Sequence, residues 1–341
     1  MTDGRAAGGP TLANVLESAV PFALPLRRRF RGLDVREGVL IKGPSGWGEF
    51  APFDDYPDDA AARWLRSALE AAFGSWPAPR RERVAVNAII PAVGSDDAAG
   101  LTREAVLERG CTTIKVKVGS ADLADDEARV ATVRDVLDTV LGRGQGAIRI
   151  DANGAWDVAS GATALRRLGA YGLQYVEQPC ATAAQMAELR RLVDVPFAAD
   201  EAIRTAADPG SVRVSDIADI AVLKPAPLGG VDETLRLAAS LDVPVVISGS
   251  LDSSVGLSTA LATAAALDDL PYACGLGTGA LLAADLGEPL VPVEGSLPVG
   301  RTSPDLALLL QARDRLGADR AAWWRRRLAD AWAADGRAVE G

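Results

Sequence analysis

Six charged side chains suited to proton transfer and metal binding recur through the middle of the sequence. They are Lys115, Lys117, Asp151, Glu177, Asp200 and Lys224. The last five lie 23 to 34 residues apart, and a strand, a helix and their loops take about 30 residues. The spacing therefore predicts one charge at the end of each successive strand of a parallel barrel, the face where working residues of such barrels lie.

The sequence contains no histidine. This excludes a Ser-His-Asp triad, a histidine general base and a histidine-ligated zinc site. Proton transfer near neutral pH must then use a lysine or a carboxylate with a shifted pKa. Lys115 and Lys117 are two residues apart, ~6.6 Å along a strand. Their mutual repulsion and a dry site are expected to lower an ammonium pKa toward the range of a useful base.

Alternation along two predicted strands places the charges on one face. In the segment TIKVKVG, Ile114 and Val116 alternate with Lys115 and Lys117, and Asp151 lies on the polar face of AIRIDAN. Because apolar faces should meet the helices, the charges should point into the barrel. Buried charges must pair or bind a cation, since isolation in an apolar interior is costly. A structural ion-pair network is the alternative, but a plain core does not require so many charges.

Three carboxylates without a nitrogen or sulfur partner nearby favour Mg²⁺, with Mn²⁺ as a possible substitute. A substrate carboxylate bound to such a cation has a more acidic α-proton, because the enediolate formed on deprotonation lies against the positive charge. The pattern therefore predicts metal-dependent proton abstraction from a small carboxylate.

Strand and helix patterns alternate from residue 84 onward, which predicts an α/β fold and a (β/α)-barrel. The predicted strands are Val84–Ile90, Thr112–Val118, Ala147–Asn153, Leu173–Pro179, Phe197–Glu201, Ile220–Pro225, Pro244–Gly249 and Tyr272–Gly277. A doubly wound open sheet is the alternative, but it would not place charges on five successive strands so readily. We expect an α+β capping domain over residues 1–82, a catalytic barrel over 83–287 and a C-terminal segment, 288–341, that completes the cap.

Composition limits the partners of this chain. Its net charge is −10, and an acidic chain without a basic stripe is a poor binder of nucleic acid or anionic membranes. No apolar run approaches the ~18 residues of a membrane span, and the first 20 residues lack the pattern of a signal peptide. The three cysteines are far apart. These features predict a cytoplasmic protein that acts on a small carboxylate, and they leave its oligomeric state open.

Several motifs together resemble the enolase superfamily, in its muconate-lactonizing subgroup. They are TIKVKVG, RIDANGAW, YVEQP, ADEAIR, VLKPAPLGG and the N-terminal GWGEFAPF. The resemblance implies a modified TIM barrel capped by an α+β domain built from both ends of the chain. It implies Lys117 as the base, Lys115 as its partner and Lys224 as the lysine opposite. It also implies Asp151, Glu177 and Asp200, rather than Glu201, as metal ligands, with Asn153 beside the metal.

Segments PLRRRFRGL, GWGEFAPF and GLGTGALLAADL resemble the branch that dehydrates a succinyl-hydroxycyclohexadiene carboxylate to an aromatic product. Dipeptide epimerases of the subgroup usually carry acidic residues after the eighth strand, and none occurs between Cys274 and Ala280. A racemase of N-succinyl amino acids with the same two lysines remains open. A non-catalytic ligand-binding barrel is the third interpretation, although a decayed site should have lost some of its charges.

Candidate substrate contacts come from two further segments. Arg29 lies with three other arginines in a predicted lid, where one could meet the succinyl carboxylate or all could form a solvated loop. Ser250 precedes a predicted helix start, where backbone N–H groups could hold an anion. The serines there, Ser253 and Ser254 included, could equally be helix caps.

Overall fold

The computed structural model describes residues 9–337 and begins with an antiparallel sheet flanked by helices. These elements are α1 (Leu12–Ser18), β1 (Ala19–Phe30), β2 (Leu33–Gly43), β3 (Gly46–Phe50) and α2 (Asp58–Phe73). β2 pairs with both β1 and β3. Trp64, Leu65 and Leu69 of α2 are buried in the apolar cluster of this unit, on the side that their helical spacing predicts.

Strands and helices then alternate around a parallel sheet. In chain order they are β4 (Arg83–Ala85), β5 (Ala88–Ile90), α3 (Ser95–Leu107), β6 (Thr113–Lys117), α4 (Leu123–Leu141), β7 (Ala147–Asp151), α5 (Val158–Leu168), β8 (Leu173–Glu177), α6 (Ala183–Arg190), β9 (Phe197–Ala199), α7 (Glu201–Arg204), β10 (Ile220–Leu223), α8 (Pro225–Leu228), α9 (Val231–Ser240), β11 (Val245–Ile247) and α10 (Ser254–Ala266). The seven strands from β5 to β11 are hydrogen-bonded in sequence order. An open doubly wound order is therefore wrong, and the barrel prediction is confirmed.

The eighth predicted strand, Tyr272–Gly277, does not form a regular strand. It makes single parallel bridges instead, from Cys274 to Val86 and from Gly275 to Ser248. The Gly275 N–H donates to Ile247 and the Asn87 N–H donates to Cys274. This segment therefore fills the gap between β11 and the first barrel strand, although its glycines interrupt regular pairing.

The first predicted barrel strand, Val84–Ile90, is divided in two. β4 pairs antiparallel with β12 (Ser296–Pro298), whereas β5 joins the parallel sheet. The chain then continues into α11 (Leu306–Leu316) and α12 (Ala318–Ala334).

The C-terminal helix packs against the N-terminal unit. Trp324 of α12 is 1% exposed and lies in one apolar cluster with Trp64. Its indole N–H donates to Glu37 at 2.9 Å. Packing against the N-terminal unit thus accounts for the buried Trp324. The domain boundaries at residues 82 and 287 stay a prediction, and residues 1–8 and 338–341 of the predicted cap lie outside the described residues.

The barrel interior is layered. Ile114, Val116 and Ile148 face the helices in the main apolar cluster. Tyr175, Ala198, Ile220, Val222 and Val246 form a separate small cluster inside the sheet. Tyr175, Ala198 and Val222 each precede a candidate site residue by two positions, so the charged layer lies one layer closer to the C-terminal ends of the strands. Among residues 9–337, no helix is long and apolar enough to cross a membrane.

Candidate active site

Strand register brings the predicted site residues side by side. Lys117 of β6 lies opposite Asp151 of β7, and Asp151 lies opposite Glu177 of β8. Asp200 and Lys224 directly follow β9 and β10. All except Lys117 are buried, with Asp151, Glu177 and Asp200 at most 1% exposed. The inward-facing parity predicted from the sequence therefore produces one charged layer at the C-terminal ends of the strands.

Each buried carboxylate is held by a lysine. Lys117 Nζ donates to Asp151 Oδ2 at 2.5 Å and Lys115 Nζ donates to Glu177 Oε1 at 3.0 Å. Lys115 also lies 3.3 Å from Asp151. Lys224 Nζ donates to Asp200 Oδ2 at 2.6 Å. These charge-assisted contacts satisfy charges that would otherwise be costly to bury.

The two neighbouring lysines differ in proton affinity. Burial, the largest influence, lowers the pKa of Lys117, and the positive charge of Lys115 lowers it further against the attraction of Asp151. Burial also acts to lower the pKa of Lys115, but Glu177 and Asp151 together outweigh it and raise that pKa above its usual value. We expected repulsion and dryness to lower an ammonium pKa, and this is so for Lys117 alone. Of the two lysines, Lys117 therefore gives up its proton more readily than Lys115.

The carboxylates are similarly unequal. Burial raises the pKa of Glu177 to about 7, although Lys115 opposes the shift. For Asp151 the two lysines outweigh burial, and for Asp200 the cations Lys224 and Arg204 do so, which holds both pKa values well below their usual range.

The donor set suits a hard divalent cation, because it offers only carboxylate oxygens. Within residues 9–337, however, no three acidic, histidine or cysteine side chains converge as a ready cation site. The carboxylates point at lysines and an arginine instead. The three carboxylates fit a cation by their chemistry and because they lie on neighbouring strands. To bind it together, Asp151, Glu177 and Asp200 must turn away from their present ion-pair partners.

Asp200 and its neighbour Glu201 occupy different positions. Asp200 is fully buried and also accepts from Arg204 Nε at 3.0 Å. The Glu201 side chain is 19% exposed and accepts from Arg204 at 2.6 Å and from Asn153 at 3.1 Å. Only Asp200 contacts Lys224, so it belongs to the charged layer, whereas Glu201 lies at its rim. The role of Asp200 as a metal ligand stays a prediction.

Asn153 connects Lys117 of the charged layer to Glu201 at its rim. Its backbone is left-handed, with φ of 47°, a conformation that asparagine tolerates better than most residues. Its side-chain oxygen accepts from Lys117 at 2.7 Å while its amide donates to Glu201. Asn153 therefore orients the Nζ of Lys117 at the cavity.

Arg204 and Gln178 were not predicted as site residues. Gln178 is fully buried with φ of 41°, and its side-chain oxygen accepts the backbone N–H groups of Asp200 and Ala202 at 3.1 Å. It therefore fixes the chain where Asp200 leaves β9. For Arg204, the sequence offered one signal: it follows Asp200 by four residues, one helical turn, so the two side chains can meet.

Ser250 lines the central cavity together with Lys115, Lys117 and Lys224. The neighbouring serines serve a different purpose. Ser253 caps α10 and donates to Glu49 of the N-terminal sheet, and the N–H of Ser254 donates to Asp285 at 3.0 Å. The protein's own carboxylates thus occupy this helix N-terminus, and of the two possibilities the capping one holds for Ser253.

The structure places Arg29, a predicted substrate contact, outside the cavity. Its side chain is 68% exposed and pairs with Asp34, 3.1 Å away, and it does not line the cavity. Phe30 and Arg31, at the tip of the same hairpin, line it instead. Phe30 lies 5.5 Å from the Lys117 ammonium. The sequence showed a run of arginines, but strand pairing and the turn decide which one faces inward.

Comparison with known proteins agrees with this architecture. The family model "Enolase C-terminal domain-like" matches residues 97–330, and "Enolase N-terminal domain-like" matches residues 21–72. A Thermobifida fusca protein named o-succinylbenzoate synthase is 50% identical over 89% of this chain and 96% of its own length. A Mycobacterium leprae protein of the same name is 50% identical over 92% of this chain and 91% of its own. This chain belongs to the o-succinylbenzoate synthase family of the enolase superfamily.

Solved structures support the fold at lower identity. Muconate lactonizing enzyme from Pseudomonas fluorescens superposes with a TM-score of 0.73, at 22% identity, over 86% of this chain and 97% of that one. An N-succinyl Arg/Lys racemase from Bacillus cereus gives 0.72 at 18% identity, over 86% of this chain and 96% of that one. The prediction of a modified TIM barrel with a cap is confirmed. Membership of the family also confirms the prediction of a dehydrating lyase, and enzymes of this family generally depend on a divalent metal ion.

Proposed function

We propose that this protein converts 2-succinyl-6-hydroxy-2,4-cyclohexadiene-1-carboxylate to 2-succinylbenzoate and water, a step of menaquinone biosynthesis in the cytoplasm. The observation that carries the proposal is the placement of Lys117 and Lys224. They come from β6 and β10, four strands apart in the sheet order, and line one cavity. A substrate in that cavity meets a lysine on each side. The lowered pKa of Lys117 suits it to accept a proton.

Lys117 Nζ takes the proton from the carbon that bears the ring carboxylate. The electrons of the broken C–H bond move into the carboxylate, where the charges of Lys115 and Lys224 stabilise them. The C–O bond at the neighbouring carbon then breaks, and Lys117 returns its proton to the departing hydroxyl. Water leaves and the ring becomes aromatic. Because one nitrogen handles both groups, the elimination is syn.

Asp151, Glu177 and Asp200 would hold a divalent cation, for which we propose Mg²⁺ with Mn²⁺ as a substitute. When bound, it would supply positive charge that acidifies the α-proton of the substrate carboxylate. Asn153 orients the Lys117 amine through its side-chain oxygen, and Ser250 and Phe30 bound the space for the ring.

Two assays on one preparation test this function. We expect aromatic product absorbance to rise with the cyclohexadiene substrate and to stop after exhaustive chelation. Loss of optical rotation with N-succinyl amino acids should be slower. Racemisation far faster than dehydration would replace this proposal by the racemase, and full activity after chelation would refute the metal requirement.

A further inference from the structure

The hairpin between β1 and β2 turns through two residues in left-handed backbone conformations. Phe30 pairs with Leu33, and the intervening Arg31 and Gly32 have φ of 51° and 78°. Glycine adopts such a conformation freely, and asparagine or aspartate are the usual residues at the other position. Arginine gains nothing locally there, so its presence suggests that the side chain has a use.

Arg31 has unused hydrogen-bonding capacity. Within residues 9–337 its side chain donates no hydrogen bond, and the nearest carboxylate to its guanidinium is that of Glu201 at 3.6 Å. Glu201 already accepts from Arg204 and Asn153 at shorter distances. The guanidinium lies 5.1 Å from the ring centroid of Phe53, which supports its flat face and leaves its edge free.

The position of Arg31 connects two cavities. It lines the central cavity with Lys117 and Lys224, and it also lines a cleft of about 790 Å³ between the cap and the barrel. The two other arginines of that cleft are engaged. Arg204 donates to Asp200 and Glu201, and Arg63 donates to the carbonyls of Ala206 and Ala207. Arg31 is thus the cleft arginine whose donors can take a new partner.

We propose that Arg31 binds the second, distal carboxylate of the substrate, the one on its succinyl arm. This inference rests on the proposed function, which supplies a substrate with two carboxylates. The ring carboxylate goes to the charged layer, and the arm extends toward the hairpin tip. The planar guanidinium forms two parallel hydrogen bonds to the distal carboxylate, in place of its loose pairing with Glu201. Arg31 therefore selects dianionic ligands over monoanionic ones.

Binding of two related ligands tests this role. The ligands are 2-succinylbenzoate and its analogue with the succinyl carboxylate converted to a primary amide, titrated calorimetrically in the presence of Mg²⁺. The variants are Arg31→Asn and Arg31→Lys, with Arg29→Asn, two residues earlier at the end of β1, as the matched control. Arg31→Asn suits the turn, so its melting temperature should not fall below that of the wild type.

We expect Arg31→Asn to weaken binding of 2-succinylbenzoate by roughly 10- to 100-fold, as for loss of a charged hydrogen bond. Binding of the amide should change by less than about 3-fold. The affinity of Arg31→Lys for 2-succinylbenzoate should fall between those of wild type and Arg31→Asn, because lysine keeps the charge but cannot form two parallel hydrogen bonds. Arg29→Asn should bind both ligands as the wild type does. In turnover, KM should rise more than kcat falls.

Equal weakening of both ligands in Arg31→Asn and Arg31→Lys, or no weakening of either, would overturn the role of Arg31. The wild-type dehydration assay reports separately on the proposed function. A wild type that dehydrates the substrate while Arg31→Asn binds both ligands normally refutes only this inference. A wild type that neither dehydrates nor binds 2-succinylbenzoate refutes the proposed function.

Discussion

Glu49 joins the N-terminal sheet to the barrel through a buried carboxylate, and its removal should change how stability depends on pH. The N–H and hydroxyl of Ser253 donate to it. A Cβ added at Gly256 would lie 2.6 Å from its carboxyl carbon, so a larger residue there would displace the carboxyl group. Burial and the nearby Asp252 raise the pKa of Glu49 from 4.5 to about 7, against the opposing influence of Ser253 and Arg36.

The sign follows from the direction of this shift. The folded protein holds the Glu49 proton more tightly than the unfolded chain does. Its contribution to stability is therefore complete below pH 4.5 and is lost as pH rises through 7. At ~1.36 kcal/mol per pKa unit the full effect is about 3 kcal/mol, of which about 2.5 kcal/mol falls between pH 5 and pH 8.

Urea unfolding at pH 5, 6, 7 and 8 measures this effect in wild type, Glu49→Gln and the control Glu82→Gln, all with chelator present. Glu82 is exposed. The nearly isosteric glutamine cannot ionise, so Glu49→Gln should gain about 2.5 kcal/mol relative to wild type as pH rises from 5 to 8. Glu82→Gln should follow the wild type. Parallel pH dependences of wild type and Glu49→Gln would refute the reasoning.

Two further predictions concern the charged layer. Lys224→Arg keeps a positive charge but cannot donate and retrieve protons, because guanidinium stays protonated. It should keep more dehydration than racemisation activity. Equal loss of both rates would contradict a role in which Lys224 stabilises the anion without exchanging a proton. Asp200→Asn should weaken Mg²⁺ binding by roughly 10-fold or more in calorimetry, whereas Glu201→Gln should change this binding little. If only Glu201→Gln weakens Mg²⁺ binding, Glu201 is the ligand instead of Asp200.

Regular alternation made the barrel strands predictable. Lys115, Lys117 and Asp151 sit on strands with clear apolar and polar faces, so the inward direction of their side chains followed from a period of two. The regular strand predicted at Tyr272–Gly277 does not form, because a glycine-rich segment can bridge two neighbours without continuous pairing.

Contacts between segments distant in sequence were beyond prediction. The choice between Asp200 and Glu201 depends on Gln178, which accepts the Asp200 N–H from a neighbouring strand. Arg31, rather than Arg29, faces the cavity because a two-residue turn follows Phe30. The pairing of Glu49 with Ser253 crosses 204 residues of chain, and no local pattern marks either residue as a partner of the other.

Dehydration by Lys117→Ala, compared with wild type on the cyclohexadiene substrate, tests the central claim most directly. Lys117 is the one base in this account, and no histidine exists to replace it. We predict a fall in kcat of at least about 10³-fold, with an unchanged circular dichroism spectrum and normal binding of Mg²⁺. The account would be contradicted if Lys117→Ala folds, binds Mg²⁺ and loses only about 10-fold or less of the wild-type kcat.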